Sequence, residues 1–147
     1  MKSFAGYVCM EPINGIILSS TEQNRINRDF INNKLNSNYF MYVNENTIKK
    51  KSIILISLLK NKKINGIVFI STFHLPETLF ERLEIYKLCI KFKKKLFFVF
   101  ENITFKNKQD ISNLEDFLIF KNEHFTKVTT NLKKDYEFII DKNWSFI

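Results

Sequence analysis

The sequence predicts an α/β protein with a three-layer architecture, in which helices flank a parallel sheet of about four strands. Short runs of branched and aromatic residues alternate with longer stretches whose apolar residues recur at helical spacing. Such alternation is typical of parallel strands joined by right-handed crossovers. Only three glycines and two prolines occur in 147 residues, which argues against a turn-rich all-β chain. The length suits one domain, residues 1–147.

Four apolar runs are predicted to form the strands. In chain order they are Phe4–Met10, Tyr39–Val43, Ile67–Ile70 and Leu96–Phe100. The last two runs are apolar throughout, which is typical of parallel strands buried on both faces. A turn signal, Asn65-Gly66, precedes the third strand.

Helices are predicted between the strands. The first begins at a capping box, Ser19 with Glu22 three residues later, and extends to about Leu35. The second is predicted over about residues 47–61, where apolar residues recur at steps of seven and four. The third is predicted to open at Leu75-Pro76-Glu77, with proline near the first helical position, and to end near Lys93.

The segment after the fourth strand, about residues 104–147, is predicted to be a helical extension. A second capping box, Ser112 with Glu115, opens a helix that reaches about Lys121. Further apolar stretches lie near Val128 and over residues 138–140. For these, an edge strand, a short helix and a docked extension remain open.

The charge balance is strongly basic, with 23 Lys and Arg against 15 Asp and Glu and a formal net charge of +8. Such an excess occurs in proteins that bind nucleic acids, anionic membranes or phosphorylated small molecules. Nearly all the basic residues are lysine, and lysine, asparagine, isoleucine and phenylalanine are abundant together. All four have AT-rich codons, so a biased base composition of the gene is the simpler explanation of the charge.

The cysteines and the hydropathy indicate a cellular location. Cys9 and Cys89 lie far apart in apolar surroundings without CxxC spacing, so we expect buried free thiols in a reducing compartment. No apolar stretch approaches the roughly 20 residues of a membrane-spanning helix. The first residues do not have the pattern of a signal peptide. We therefore expect a cytoplasmic protein without a membrane partner.

The sequence contains no strong catalytic or cofactor motif. A glycine-rich phosphate loop is missing, and no cluster of residues has metal-ligand spacing, so no cofactor and no metal are predicted. His74 and His124 have no ligand-spaced partners and are expected at the surface or in loops.

Polar residues follow the predicted strands, at the edge where open parallel sheets bind ligands. Glu45 and Glu101 are candidate acid–base groups there, and Ser71 is a candidate donor. The start of the first helix adds Gln23 and Asn24 to the same rim. Caps and turns favour several of these residue types, so each residue also has a purely structural interpretation. Glu101 is the most informative, because a carboxylate that ends an apolar strand must be solvated or paired.

Arginines are rare in this lysine-rich chain. Arg28 and Arg82 are therefore candidates for a bidentate contact with an anionic ligand. A surface ion pair is the alternative for either residue.

The order of these segments resembles the catalytic domain of the serine recombinases (resolvases). The matching pieces are Gly6-Tyr7 in the first strand, Ser20–Asn24, Ile67–Ser71 and Leu96–Glu101. Recombinases need a nucleophilic serine just after the first strand and several arginines around it, whereas this chain has Val8-Cys9-Met10-Glu11 there. The resemblance therefore implies a resolvase-like, Rossmann-like fold and argues against strand exchange.

A closer resemblance is to the sporadic carbohydrate cluster proteins, which are encoded in bacterial surface-sugar gene clusters. It covers roughly residues 4–103 and rests on an ordered set of short pieces. These are Gly6-Tyr7-Val8, Gln23-Asn24, Arg28-Asp29, Gly66-Ile67-Val68, Ser71, Leu75-Pro76, Arg82, Leu96-Phe97-Phe98-Val99 and Glu101-Asn102. Where the family has Ser-Arg-Pro after the first strand, this chain has Met10-Glu11-Pro12 and keeps only the proline.

The resemblance implies a protein of surface-carbohydrate biosynthesis that binds or modifies an activated or acidic sugar, such as a sugar nucleotide. Arg28 would pair with an anion of the ligand. Glu101 would act as a base or accept a hydrogen bond from a ligand hydroxyl. The predicted catalytic residues are Glu101 and Ser71, and the predicted substrate-binding residues are Gln23, Asn24, Arg28, Glu45 and Arg82. Whether the protein is an enzyme, and whether it forms a homo-oligomer, is left open.

Two other functions are compatible with the sequence. The first is a basic nucleic-acid-binding module, supported only by lysines interleaved with aromatics over residues 92–97, which also fit a helix end followed by a core strand. This makes nucleic acid the less favoured partner. The second is a non-catalytic subunit of a carbohydrate-biosynthesis complex that docks through its apolar tail, Trp144–Ile147.

Overall fold

A computed structural model describes residues 1–45 and 52–130, with side chains described up to Asn122. Within these residues, five strands form one sheet in the order β2-β1-β3-β4-β5. They are β1 (Ser3–Cys9), β2 (Asn38–Glu45), β3 (Gly66–Phe69), β4 (Lys95–Phe98) and β5 (Ile103–Phe105). The first four are mutually parallel, and β5 runs antiparallel to β4. The predicted α/β class with a mostly parallel sheet is confirmed.

The fifth strand is absent from the sequence prediction. It contains only three residues, and Asn102 in the turn before it has a φ of 55°. Asparagine tolerates this left-handed conformation better than most residues, so the chain reverses without glycine or proline. A three-residue run without a glycine or proline turn signal is too short to indicate a strand.

The described part of the chain contains four α-helices. They are α1 (Ser20–Asp29), α2 (Ile53–Leu59), α3 (Leu79–Lys91) and α4 (Asp110–Thr130). A π-helical turn over Phe30–Lys34 continues α1, with the Leu35 amide donating to the Phe30 carbonyl. The predicted second helix is longer than α2, but residues 46–51 lie outside the described part.

The structure tests three predicted helix starts. The first is confirmed, because Ser19 Oγ accepts a hydrogen bond of 3.1 Å from the Glu22 amide. The third is wrong: α3 begins after Thr78, and Leu75 is extended, as expected for a residue before proline. The second capping box is also wrong, because α4 already begins at Asp110.

Asp110 explains the earlier start of α4. Its carboxylate accepts from the Lys106 amide at 2.7 Å and from the Asn107 amide at 3.2 Å, which ties down the loop before the helix. The region near Val128 belongs to α4, whereas residues 138–140 and the Trp144–Ile147 tail lie outside the described part. No helix in residues 1–45 and 52–130 is both long and apolar enough to cross a membrane.

The two faces of the sheet are covered by different elements, because successive strand residues point to opposite faces. Ala5, Tyr7 and Cys9 of β1 belong to a buried cluster with residues of α2, α3 and α4. Phe4 packs on the other face with Ile31, which follows α1. Both cysteines are buried, as predicted: Cys9 lies in β1 and Cys89 in α3.

The polar helix α1 packs on β1 through hydrogen bonds from its side-chain amides to the strand backbone. Its buried residues are Gln23 and Asn27. Asn27 Nδ2 donates to the Tyr7 carbonyl at 3.2 Å, and a Cβ on Gly6 would lie 3.1 Å from the Asn27 Cβ. Glycine at this position therefore lets the helix approach the strand closely.

Candidate functional site

A cavity of about 470 Å³ opens at the carboxyl end of the sheet. The chain leaves β1 for the edge strand β2 and returns to β3 on the other side of β1. In open α/β sheets the crevice beyond such a switch point is the usual ligand site. The loop after β1, the segment after β3, and helices α3 and α4 supply the lining residues. These are Glu11, Pro12, Thr72, Phe73, Leu75, Pro76, Glu77, Arg82, Leu118, Lys121 and Asn122.

Glu101 and Ser71 lie together next to this cavity, because β3 and β4 are neighbouring parallel strands. One carboxylate oxygen of Glu101, Oε2, accepts hydrogen bonds from Ser71 Oγ at 2.6 Å and from Thr72 Oγ1 at 2.6 Å. The Thr72 amide donates to the same oxygen at 2.9 Å. The other oxygen, Oε1, is buried and has no hydrogen-bond partner within the described residues. The two predicted catalytic residues therefore form one buried network, whose Thr72 reaches the cavity wall.

Lys121 of α4 joins this network from the opposite wall. Its side chain is 6% exposed, and Nζ donates to Thr72 Oγ1 at 3.0 Å. Nζ also lies 3.8 Å from the centre of the Phe73 ring. Burial is the main reason that the pKa of the Lys121 amine is lowered to about 8; the Glu101 carboxylate opposes this shift, and Arg82 adds to it.

Sequence reasoning missed Lys121, which was predicted only as a helix end. A signal was nevertheless present in the helical spacing. Leu114, Leu118 and Lys121 follow at steps of four and three, so they share one face of α4. Because the two leucines are core residues, the lysine on the same face is directed inward.

His74 is buried, so an expected position at the surface is wrong, although the residue does lie in the segment that connects β3 to α3. It is fully inaccessible and lies in a 3-10 turn (Thr72–His74) after β3. Nε2 lies 3.0 Å from the Glu11 carbonyl oxygen, so Nε2 carries the proton and donates. Burial lowers the pKa of His74, which favours the neutral ring. The histidine thereby joins the loop after β1 to the segment after β3.

Arg82 lines the cavity, where it was predicted to bind substrate, but its guanidinium is paired with the carboxylate of Glu115. Its Nε donates to Glu115 Oε2 at 2.9 Å, and its Nη2 donates to Oε1 at 2.8 Å. Its Nη1 donates to the carbonyls of Pro76 and Glu77 at 3.0 and 2.7 Å. The Tyr86 hydroxyl completes the group with a 2.5 Å bond to Glu115. Arg82 is therefore held rigidly in the wall, and this ion pair joins α3 to α4.

Gln23, Asn24 and Arg28 of α1 are not among the residues that line the cavity. The Gln23 amide bonds both the amide and the carbonyl of Cys9, at 3.1 and 2.8 Å, and so extends the hydrogen bonding beyond β1. Asn24 accepts from the Tyr39 hydroxyl. Arg28 is exposed in the last turn of the helix. The substrate-binding roles of these three residues stay predictions.

Glu45 lies at the end of β2 and is likewise outside the cavity lining. It is buried, and one oxygen accepts from the Tyr7 hydroxyl while the other accepts from the Ile54 amide at 3.1 Å. The Ile54 amide belongs to the first turn of α2, where a negative charge is favourable. Burial and the Glu45 carboxylate raise the pKa of Tyr7, so the hydroxyl remains a donor. Glu45 thus holds β1, β2 and α2 together.

No protein-family model, curated protein or solved structure matches the chain. Within residues 1–45 and 52–130, no group of His, Cys, Asp and Glu side chains could hold a metal ion.

Proposed function

We propose that this protein binds a small acidic or activated sugar in the cavity beyond β1 and β3, as part of bacterial surface-carbohydrate biosynthesis. The observation that carries the binding proposal is the buried amine of Lys121 in the cavity wall. Among the described residues, no carboxylate lies within ion-pair distance of Nζ. The pathway is supported only by the resemblance to the sporadic carbohydrate cluster proteins.

An acidic sugar has the two kinds of group that this wall can recognise. A buried ammonium without a counter-ion is costly, and a ligand carboxylate or phosphate would supply the missing charge. Sugar hydroxyls are donors, and Glu77 and Asn122 provide oxygen acceptors on the same cavity. The cavity volume lies within the range of roughly 300–1,000 Å³ for small-molecule sites.

Within this proposal, Thr72 and Lys121 contact the ligand, and Arg82 lines the same cavity while it is paired with Glu115. Ser71 and Glu101 act as positioning residues, because they hold the Thr72 amide and hydroxyl. A direct catalytic role of Glu101 as a base is the alternative to this positioning role. The finer architecture, a three-layer resolvase-like or Rossmann-like domain in the cytoplasm, belongs to the same proposal and is supported by helices on both sheet faces.

The test is calorimetric titration of the protein at pH 7 with uronic acids, sugar phosphates and nucleotide sugars, beside the corresponding neutral sugars. We expect one acidic class to bind and Lys121→Met to weaken it at least about tenfold, because a charged hydrogen bond is lost. Lys91→Met, which removes an exposed charge from α3, is the matched control and should leave the affinity unchanged. Equal binding of neutral sugars, or full affinity in Lys121→Met, would overturn the proposal.

The nucleic-acid and subunit alternatives make different predictions in the same assay. Binding of short DNA should fall steeply between low and moderate salt if the lysine-rich surface is responsible. Binding to the buried amine of Lys121 in the cavity should depend much less on salt. A protein that binds neither class would fit the non-catalytic subunit.

A further inference from the structure

We infer that Lys121 is a nucleophilic amine that forms an imine with a carbonyl-bearing acid, of the 2-oxo acid class, in the cavity at the carboxyl end of the sheet. This inference rests on the proposed function only in that both place a ligand in the same cavity. It adds a reaction to what would otherwise be a binding site.

The surroundings of Nζ are suited to a reactive amine. It is buried at the wall of a cavity of about 470 Å³, so a ligand of modest size can reach it. Its one hydrogen-bond partner among the described residues is the neutral Thr72 hydroxyl, and the Phe73 ring covers it at 3.8 Å. An amine in an apolar site without a carboxylate partner is more readily deprotonated, which is how lysine nucleophiles are activated.

Two charged groups act on this amine: Glu101 after β4 raises its pKa, and Arg82 on α3 lowers it. The other titratable groups around the cavity are Glu11 after β1 and His74 and Glu77 after β3. Burial has the largest effect and lowers the pKa of Lys121 to about 8. A substantial fraction of the amine is therefore neutral near pH 8.

The chemical step balances without a further reagent. The Nζ lone pair forms a bond to the carbonyl carbon while the C=O π electrons move to oxygen. The C–O bond then breaks as the C=N bond forms, and the two protons of the neutral amine leave on that oxygen as water. Thr72 Oγ1 already accepts from Nζ and donates to Glu101 Oε2, so it links the amine to a carboxylate that can hold a proton in transit to the departing oxygen.

Reductive trapping tests this directly on the unmodified protein. The protein is incubated with pyruvate and cyanoborohydride at pH 8, and peptides are mapped by mass spectrometry. We expect a mass increase on Lys121 equal to pyruvate less one oxygen atom. Lactate has the same carboxylate without the carbonyl and should give no adduct.

Lys94 is a matched internal control. It is also buried, with burial lowering its pKa, but its Nζ donates to the carbonyls of Asn61 and Ile64 at 2.6 and 2.5 Å. Lys94 does not line the cavity, so it should remain unlabelled. The trapping rate at Lys121 should rise with pH through about 8, whereas an ordinary exposed lysine should continue to gain reactivity toward pH 10.5.

Lys121→Arg keeps a cation but cannot form the imine, so it should lose the adduct while its thermal unfolding shows that it still folds. An absence of label on Lys121, or labelling no greater than on exposed lysines, would overturn the inference. If acidic sugars bind without any trapping, the imine is wrong and the proposed function stands. If Lys121 is trapped but no acidic sugar binds, the imine stands and the proposed function fails.

Discussion

Lys121 has an unusual environment for a lysine, because its amine is buried. It is held between a hydroxyl and an aromatic ring and is 6% exposed. Its pKa of about 8 lies below the usual 10.5 of the unfolded chain. Between these values the folded protein binds fewer protons at this group than the unfolded chain does, so its contribution to stability increases as pH rises from 8 to 10.5. Below pH 8 the cost of burying the charge is fully present.

Replacing Lys121 by methionine should remove this pH dependence. We expect the variant to gain stability relative to the unmodified protein at pH 7, by at most about 3 kcal/mol, and to lose most of that gain by pH 10.5. Urea unfolding at both pH values measures the difference. Lys91→Met serves as the control for general charge effects, and a stability difference that is the same at both pH values would contradict the assignment.

At the scale of elements, the β3–β4 pair depends on a glycine. A Cβ on Gly66 would lie 2.2 Å from the Lys95 carbonyl oxygen, a backbone atom that cannot rotate away. The two strands carry Ser71 and Glu101 beyond their ends, and the Gly66–Lys95 pairing sets their register. Close strand approach at Gly66 is therefore what brings the Ser71–Glu101 network together.

Gly66→Ala should destabilise the protein by about 3 kcal/mol, because the strands must separate. Gly15→Ala is the matched control: its φ is 83°, but an added Cβ would meet nothing within 4 Å. That change should cost only about 1 kcal/mol of backbone strain. Chemical denaturation of both variants makes the comparison. Equal losses would mean that the contact with Lys95 relaxes freely.

At the scale of the whole molecule, the sheet has a protected centre and two edges among the described strands. β1, β3 and β4 each have hydrogen-bonded neighbours on both sides, whereas β2 and β5 are edge strands. The cavity lies beyond β1 and β3, so strands with neighbours on both sides support the candidate site. A site placed on rigid elements keeps its geometry.

Amide hydrogen exchange should reproduce this order. We expect the amides of β1 and β3 to exchange slowest and those of the three-residue β5 to exchange at least about tenfold faster, since edges open locally. Mass spectrometry of peptic fragments measures both. Fast exchange throughout β3 would contradict the central position of this strand.

The α/β class with a mostly parallel sheet, the Ser19 cap of α1 and the burial of both cysteines could be predicted from the sequence alone. These depend on local patterns, namely apolar runs, helical spacing and capping residues, that each segment carries within itself. The proximity of Ser71 and Glu101 could also be predicted, because parallel strands end at the same edge of a sheet.

Which polar residues face the cavity could not be predicted, because it depends on how distant segments pack together. Gln23 and Glu45 were predicted on the rim, yet their oxygens bond the Cys9 and Ile54 amides and the Tyr7 hydroxyl. Lys121 reaches Thr72 across 49 positions of sequence, and His74 reaches Glu11 across 63. A buried polar side chain forms a hydrogen bond with a partner that lies close to it in the fold. Which partner lies close is determined by the packing of distant segments and not by the local sequence.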